Sequence, residues 1–332
     1  MEKMNKRVYG ILGVASRMSN WNADFTGYPK TTSSGDVFGS DKAFKYPMKK
    51  MWENNGEKVL YIKSIKFQEN KKKETELLPR SLKERYEYIF GIENLKDNKD
   101  SKEVLKNLFL AVDVKNFGAT FAEEGNNISI TGAVQIGQGF NKYEDTNAEE
   151  QQILSPFRDP KQKDKNNKDE EAKSSTLGTK IVSDEAHYFY PFVINPSAYD
   201  QFQEIGVTEG YTEEDYKKFK EASMVAATSF STNSKIGCEN EFALFIETKS
   251  DLYLPDLSQY VEFEKGEDKN KIKLNCMDLL NSFENEIENI EIYYNPYTTD
   301  IELDEMPKFS KYNIFTKKEV MDHSKEHNKK EV

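Results

Sequence analysis

Two strand-like runs separated by a long polar excursion constrain this chain more than any other feature. Residues 128–136 and 186–194 alternate apolar and polar side chains, which is typical of half-buried strands. Between them, residues 161–173 are Lys, Gln, Asn, Asp and Glu apart from Ala172. A loop of this length in a compact domain is uncommon and is usually functional or disordered. We therefore predict a pair of strands carrying a long arm, aromatic at its base and charged at its tip.

The charge of the chain is unevenly distributed. The 332 residues are 32% charged and 12% aromatic, which predicts a globular protein with polar insertions, either one large domain or two small ones. The net charge of −11 argues against a uniformly basic nucleic-acid binder. Residues 1–80, however, hold 16 Lys and Arg against 9 Asp and Glu, a net +7, and the remainder carries −18. A basic path on an acidic body is compatible with this distribution, because local charge determines the local field.

Neither the cysteines nor the histidines form a pattern that predicts a metal or a cofactor. Cys238 and Cys276 have no ligand-like spacing and make no disulfide framework, which favours a reducing, cytoplasmic compartment. His323 and His327 have the i, i+4 spacing of a helical metal site, but no third ligand type lies nearby in the sequence. We expect no metal and no cofactor.

The N-terminus superficially resembles a signal peptide, because basic residues at positions 3, 6 and 7 precede an apolar run. That run is short and contains Gly10 and Gly13, so a first strand over residues 7–16 is favoured. No other segment approaches the length needed to cross a membrane, and we expect no membrane partner.

The segment after the first strand combines turn residues with a lysine-bearing helix. Asn20, Asn22 and Asp24 are typical of side chains that bond their own backbone in turns. A helix is predicted to begin at Ser40 or Asp41, with a kink at Pro47. Its apolar face would comprise Phe44, Met48 and Met51 or Trp52, and Lys42, Lys45 and Lys49 would lie together on another face, with Lys50 beside them. An exposed lysine face is usually solvated, so the position of this one in the basic part of the chain is what suggests binding.

The remaining patterns complete an α+β order. Strands are predicted over residues 58–67, 113–122, 241–247 and 290–294, and helices near 82–90, 104–109, from Thr212 and over 277–287. The last residues form a charged tail. This order suggests a ferredoxin-like or RNA-recognition (RRM) type of fold, with helices covering one face of the sheet.

Five segments of the chain are informative in combination: Asn20-x-Asn22-x-Asp24, Ser40-Asp41-x-x-Phe44-Lys45-x-x-Met48-Lys49, residues 113–122 (DVKNFGATFA), residues 130–136 (ITGAVQI) and Thr176-Leu177-Gly178-Thr179-Lys180. Together they resemble the crRNA-binding backbone subunit of the type I-B CRISPR Cascade complex, a member of the repeat-associated (RAMP) superfamily. The resemblance spans residues 9–247. Pro47 interrupts the helical pattern, and Lys49-Lys50 stands where arginine is common in the family.

The resemblance implies a modified RRM-like palm of residues 1–67, 113–138 and 176–300. A helical finger insertion would take residues 68–112, a protruding thumb hairpin 139–175, and a charged C-terminal tail 301–332. It implies a filament of copies along one guide crRNA, each thumb displacing a base at regular intervals, in antiviral defence. The implied partners are single-stranded crRNA, target DNA paired to the guide, further copies of the chain and other Cascade subunits.

A guide held without being read requires contacts to phosphates and sugars. Lysine serves as a point charge for phosphate, and a glycine at position 178 would let RNA approach the backbone closely. The predicted RNA-binding residues are Arg17, Asn20, Asn22, Lys42, Lys45, Lys49, Lys50, Gln135, Phe140, Phe157, Arg158, Thr176, Gly178, Lys180 and His187. Phe140, Ile153, Leu154 and Phe157 either stack on bases or pack a small core of the arm itself, and the sequence favours neither.

Two alternatives come from other classes of protein. A RAMP-type endoribonuclease that processes the crRNA precursor would need a base near neutral pH, for which His187 is the candidate. His187 alone is better interpreted as a strand or RNA-contact residue, and we expect no enzyme. A structural assembly subunit would share the fold but would lack salt-sensitive affinity for RNA.

Overall fold

The computed structural model describes residues 2–97, 100–154, 177–303 and 309–320. Helices lie at α1 (Asp41–Asn54), α2 (Leu82–Phe90), α3 (Ser101–Leu110), α4 (Val112–Phe117), α5 (Asp200–Glu204), α6 (Glu213–Ser223), α7 (Ala226–Ser229) and α8 (Met277–Asn281). The first eight strands are β1 (Arg7–Ser19), β2 (Phe38–Gly39), β3 (Ile65–Glu69), β4 (Thr75–Pro79), β5 (Gly118–Phe121), β6 (Ile128–Thr131), β7 (Val134–Ile136) and β8 (Gly139–Asn141). The others are β9 (Ala148–Leu154), β10 (Leu177–Ile194), β11 (Cys238–Thr248), β12 (Val261–Glu264), β13 (Asn270–Leu274), β14 (Ile287–Tyr294), β15 (Thr299–Leu303) and β16 (Ser310–Asn313).

Strand β1 is the centre of the main sheet. It pairs antiparallel with β10 on one side, from Val8 opposite Ile194 to Ser19 opposite Ser183, and with β11 on the other. The strand order is β16-β14-β11-β1-β10-β8-β2, and β7 and β9 also pair with β10. Strand β1 is buried on both faces, which explains its nearly continuous apolar sequence.

The two faces of this sheet support two hydrophobic clusters. On one face, Val8 and Leu12 of β1 pack with Phe44 and Met48 of α1 and with Phe219 of α6. This helical layer confirms the predicted α+β class and the predicted apolar face of α1. Ser40 caps α1 by accepting a hydrogen bond from the Ala43 amide at 3.3 Å, as the sequence predicts.

The opposite face is covered by a small three-stranded sheet, β12-β13-β15, and by α8. Ile11 of β1 and Leu244 of β11 pack there against Ile272 and Leu280. Residues 250–274, for which the sequence predicted no role, contribute β12 and β13 to this layer. The layer encloses the face of the sheet opposite α1 and α6.

The insertion after α1 contains a hairpin and two helices. Strands β3 and β4 pair from Ile65 opposite Pro79 to Glu69 opposite Thr75. Helices α2 and α3 bury the apolar faces predicted for them, with Tyr86, Val104 and Leu108 fully buried. The strand predicted for residues 58–67 is wrong over most of its length, because only its end pairs, and it does so with β4.

The segment 113–122 contradicts the predicted continuous strand. Residues Val112–Phe117 form α4, because both carboxylate oxygens of buried Asp113 accept backbone hydrogen bonds at 2.8 Å, from the amides of Leu60 and Tyr61. The helix ends at Gly118, whose φ of +78° is the left-handed region that favours glycine. A Cβ at this position would also lie 2.1 Å from the Ile130 carbonyl oxygen.

Two further boundaries differ from prediction. The helix predicted over 277–287 ends at Asn281, and β14 has already begun at Ile287. The charged tail predicted from residue 301 contains the end of β15 and strand β16, which pairs parallel with β14 in the main sheet. The charged composition did not indicate a strand in this tail, because the backbone N–H and C=O groups that form a β-ladder are present whatever the polarity of the side chains.

The described part of the long arm is an extension of β10. Strand β9 pairs antiparallel with the first seven residues of β10, from Ala148 opposite Ser183 to Leu154 opposite Leu177. Of the predicted pair of strands, 186–194 lies within β10, but 128–136 is two strands: Ile128–Thr131 pairs with β5 in a separate sheet, and Val134–Ile136 pairs with the end of β10. The tip of the arm lies outside the described residues. No helix in the part of the chain that the structure covers is long and apolar enough to cross a membrane.

Gly139 packs so closely against Tyr190 that there is no room for a side chain at this position. A Cβ built on Gly139 would lie 2.3 Å from Cε2 of the buried Tyr190 ring. We expect Gly139→Ala to reduce the free energy of unfolding by roughly 1–3 kcal/mol, because a well-packed core resists extra volume. Chemical denaturation measures the change. Gly178→Ala is the matched control, since its Cβ would meet nothing nearer than 3.8 Å; equal stability of the two variants would contradict this packing.

Candidate nucleic-acid interface

The Asn-rich loop fixes the start of α1. The Asn22 side-chain oxygen accepts a hydrogen bond from the Ser40 amide at 2.8 Å, and Asp24 accepts one from the Thr26 amide at 2.8 Å. Buried Asn20 donates to the Gly27 carbonyl at 2.9 Å. The Asp24 contact is the local turn chemistry expected from the sequence. The Asn20 and Asn22 side chains instead bond groups 7 and 18 residues away along the chain, and Asn22 thereby positions the start of α1.

A cleft of about 660 Å³ lies along α1. We call it the α1 cleft. One wall carries the helix residues Asp41, Lys42, Lys45, Tyr46 and Lys49, and the other is built from Tyr61, the 117–120 segment and Ile130. Lysines thus face aromatic and small residues across an open groove. The sequence correctly placed Lys42, Lys45 and Lys49 on one face of the helix.

The three lysines differ in their freedom to bind an anion. Lys42 is exposed and has no ion pair among the described residues. Lys45 pairs with Asp41 at 2.9 Å, and its Nζ lies 5.1 Å from the Phe117 ring centroid. Lys49 is enclosed to about the same extent as Lys45, and its Nζ lies 3.8 Å from an Asp113 oxygen. Burial lowers the pKa of the Lys49 ammonium despite that carboxylate.

The sequence did not predict the aromatic residues that line the α1 cleft, Tyr46, Tyr61 and Phe117. Tyr61 donates to the Thr120 carbonyl at 2.5 Å, and burial together with Asp113 raises its pKa to about 12. Tyr46 is exposed beside the lysines. Phe117 was hidden within the mispredicted strand. Tyr46, adjacent to Lys45 in the sequence, was the available signal for a surface that combines charge with stacking.

Several predicted contacts lie away from the α1 cleft. Lys50 pairs with Glu53 at 2.7 Å and lines a separate groove with Arg80 and Arg85. Gln135 donates to the Gly132 carbonyl at 2.8 Å and borders an apolar pocket on the far side of β10. The structure therefore does not bring all the predicted residues into one site.

The arm places two predicted residues near its root. Gly178 and Lys180 are on β10 opposite Ile153 and Gln151 of β9. Gly178 has neither a positive φ nor a crowded α-carbon, so nothing within the described protein requires glycine there. Phe140 is 41% exposed and packs on Phe38, with ring centroids 5.9 Å apart. Phe157, Arg158 and Thr176 lie outside the described residues.

His187 occupies a carboxylate cage instead of a surface. The side chain is fully buried, and its Nδ1 and Nε2 atoms bond Glu241 at 2.8 Å and Glu185 at 3.1 Å. The ring stacks on Phe263 with centroids 3.7 Å apart. The prediction that His187 contacts RNA is corrected here, because neither ring nitrogen is left to bond a ligand.

Arg17 joins the same carboxylate cluster. Its guanidinium pairs with Glu239 at 2.8 Å and with Glu185 at 3.3 Å. Glu185 also pairs with Lys265 at 2.7 Å, and its pKa falls to about 2 because of the hydrogen bond from His187 and the Lys265 ammonium. The charge of Arg17 is thus already compensated within the protein. No group of three or more potential metal ligands is assembled in the described ranges.

The histidine cage predicts a specific pH dependence. Burial opposes the charge on His187, but Glu241 and Glu185 outweigh it and raise the histidine pKa above 6.5. A raised folded-state pKa stabilises the fold fully below the unfolded value and progressively less as the pH rises through the folded value. We therefore expect His187→Gln to lower Tm most at about pH 5.5–6.5, with the deficit shrinking at higher pH.

Thermal unfolding across a pH series checks this expectation. Glu241→Gln should show the same pH-dependent deficit, because it removes the partner charge. A Tm difference between wild type and His187→Gln that stays constant from pH 6 to about pH 9 would show that the imidazole acts through packing alone.

Comparison with known proteins places the chain in a family. The family model for "CRISPR-associated protein Cas7" matches residues 6–281, and no curated protein matches. A solved chain described as "CRISPR RNA-guided surveillance complex, pre-nicking" is 12% identical, with a TM-score of 0.50 over 91% of this chain and 96% of that chain. Another, described as "CRISPR RNA-guided surveillance complex", is 14% identical, with a TM-score of 0.47 over 91% and 95% of the two chains. Because the family model covers most of its length, the chain belongs to the Cas7 family of CRISPR-associated proteins.

Proposed function

We propose that the chain is a non-catalytic, crRNA-binding backbone subunit of a CRISPR effector complex of the Cascade type. The observation that carries the proposal is the α1 cleft, where Lys42, Lys45 and Lys49 face Tyr61 and Phe117 in a member of the Cas7 family. A solved chain similar in fold is described as "CRISPR RNA-guided surveillance complex, pre-nicking". Binding of single-stranded guide RNA fits both the charge and the aromatic surface of the cleft.

The chemistry of the cleft suits sequence-independent binding. Lysine ammonium groups attract phosphates without regard to the base, and aromatic rings stack on any base. Lys42 offers an uncompensated charge at the mouth of the cleft, while Lys45 lies between Asp41 and Phe117. A phosphate displacing Asp41 from Lys45 would exchange one anion for another. The cleft can therefore hold the RNA backbone while base edges stay free for pairing.

The arm suits a role in spacing the guide. Its root carries Lys180 and the exposed Ile153, and Phe140 lies on the neighbouring strand. We propose that the arm of one copy displaces a base of the guide at regular intervals, that copies form a filament, and that the remaining bases pair with target DNA. We also propose that the chain binds other Cascade subunits and that the complex is of type I-B. The two buried, unpaired cysteines fit a cytoplasmic compartment.

Endoribonuclease activity finds little support in the described residues. His187 is the only histidine among them, and both of its nitrogens bond carboxylates inside the protein. A general base must reach the proton that it removes, and a ring without exposed surface does not reach a ribose hydroxyl. We therefore propose that the chain binds guide RNA without cleaving it.

Salt-dependent binding tests the lysine face. Fluorescence anisotropy with a labelled oligouridine of about 30 nucleotides gives Kd over a salt series, since binding releases counterions with a log–log slope of about −0.7 per contact. We expect Lys42→Met/Lys45→Met to weaken binding and to flatten the slope by about 1.4. The control, Lys269→Met/Lys271→Met, removes the same charge from the small sheet. If wild type binds no RNA, the proposed function is wrong.

Gly178 offers an independent test. Since a Cβ there contacts nothing in the protein closer than 3.8 Å, Gly178→Ala should leave Tm unchanged or slightly raised. We expect the same variant to bind the oligouridine more weakly, because a methyl group would hold the RNA away from the backbone. Unchanged affinity would remove Gly178 from the RNA path.

A further inference from the structure

The loop between α7 and β11, residues 230–237, holds a lysine without a counter-charge. Lys235 Nζ donates to the carbonyl oxygens of Asn20 at 2.5 Å and Trp21 at 2.7 Å. It also lies 5.8 Å from the Trp21 ring centroid. Across the described ranges, no carboxylate lies within ion-pair distance of this ammonium.

Two lysines enclosed elsewhere in the chain have an anion beside the ammonium: Lys45 pairs with Asp41 at 2.9 Å and Lys115 with Glu209 at 3.1 Å. Lys235 has none among the described residues, and its ammonium contacts backbone carbonyls instead. Burial lowers the pKa of Lys235, which reflects the cost of desolvating its charge. The ammonium carries three N–H groups, and two of them are used by the carbonyls. The third N–H has no acceptor among the described residues and is left for an external anion.

The loop also contacts the root of the arm. The Asn20 amide donates to the Ser234 carbonyl at 3.0 Å, and Asn20 Nδ2 approaches the Ile181 carbonyl at 3.3 Å. Lys180 donates to the Asn233 side-chain oxygen at 3.4 Å. The Asn20 Oδ1 atom is buried and lacks a partner. Two lysines without carboxylate partners therefore flank the exposed polar residues at 231–234.

The other end of the loop reaches the α1 cleft. The Phe230 ring packs edge-on against Tyr46, with centroids 5.5 Å apart, and Tyr46 lines the cleft beside Lys42 and Lys45. Through these contacts the loop lies between the lysines of α1 and Lys180 at the arm root. A strand of RNA that passes from the cleft to the arm would cross it.

We propose that residues 230–235, together with Lys180, form a second binding site for the sugar–phosphate backbone of single-stranded RNA. Lys235 supplies the charge that a phosphate neutralises, and the hydroxyl and amide groups of Ser231, Thr232, Asn233 and Ser234 bond phosphate or ribose oxygens. The site rests on the proposed function, since it continues the path of the same RNA. No sequence pattern indicates this site, because only the fold brings the Asn20 and Trp21 carbonyls around Lys235.

The test compares charge removal with charge retention in the full-length chain. We expect Lys235→Met to weaken binding of the labelled oligouridine and to flatten the salt slope by about 0.7. Lys235→Arg should retain the wild-type slope, because it keeps the cation and its donors. Lys271→Met on the small sheet serves as the control and should leave the slope unchanged. If Lys235 had only a structural role, Lys235→Met would leave the number of released counterions, and therefore the salt slope, unchanged.

A second measurement does not depend on the folding of a variant. Oligouridine carrying 4-thiouridine is photocrosslinked to the wild-type chain, and adducts are located by peptide mass spectrometry. We expect adducts within residues 230–235 as well as on α1. Adducts on α1 with none in the loop, or a Lys235→Met slope equal to wild type, would overturn this site and leave the proposed function intact. Absence of any RNA binding by wild type would overturn both.

Discussion

The antiparallel pairing of β1 with β10 is the constraint on which the rest of the structure depends. It places the Asn-rich loop directly after the end of β1. It also leaves the start of β10 to form the arm with β9. The buried Trp21 indole then donates to the Tyr190 hydroxyl at 2.6 Å, which ties that loop back to the sheet. Because Asn22 holds Ser40, the same pairing also fixes where α1 begins. The candidate interface is therefore assembled from one strand pair outwards.

Local patterns predicted the elements that bury one face. Alternation identified the strand at 186–194 within β10, and hydroxyl residues identified the starts of α1 at Ser40 and of α6 at Thr212. Helical spacing placed Phe44 and Met48 inward and Lys42 and Lys45 together. These features depend on neighbours within a turn or two of the chain, so the sequence contains most of the information that determines them.

The features that sequence reasoning missed depend on distant partners. Asp113 makes its segment helical by accepting amides some fifty residues earlier in the chain, and no local pattern displays that contact. His187 pairs with Glu241 inside the protein because their strands, β10 and β11, lie on either side of β1. The layer on the second face of the sheet, to which residues 250–274 contribute β12 and β13, likewise depends on which strands it covers. Charged composition alone made the strand at 310–313 look like part of a tail.

The length of β10 has a mechanical consequence. Its 18 residues span roughly 60 Å at about 3.3 Å per residue; residues 183–194 lie opposite β1 in the sheet, and residues 177–182 extend beyond it into the arm. No break in the strand separates the two parts. A force on the arm is consequently transmitted along β10 to its pairing with β1, where many hydrogen bonds resist the force together. The stiffness of the arm is therefore a property of the strand and not of a joint.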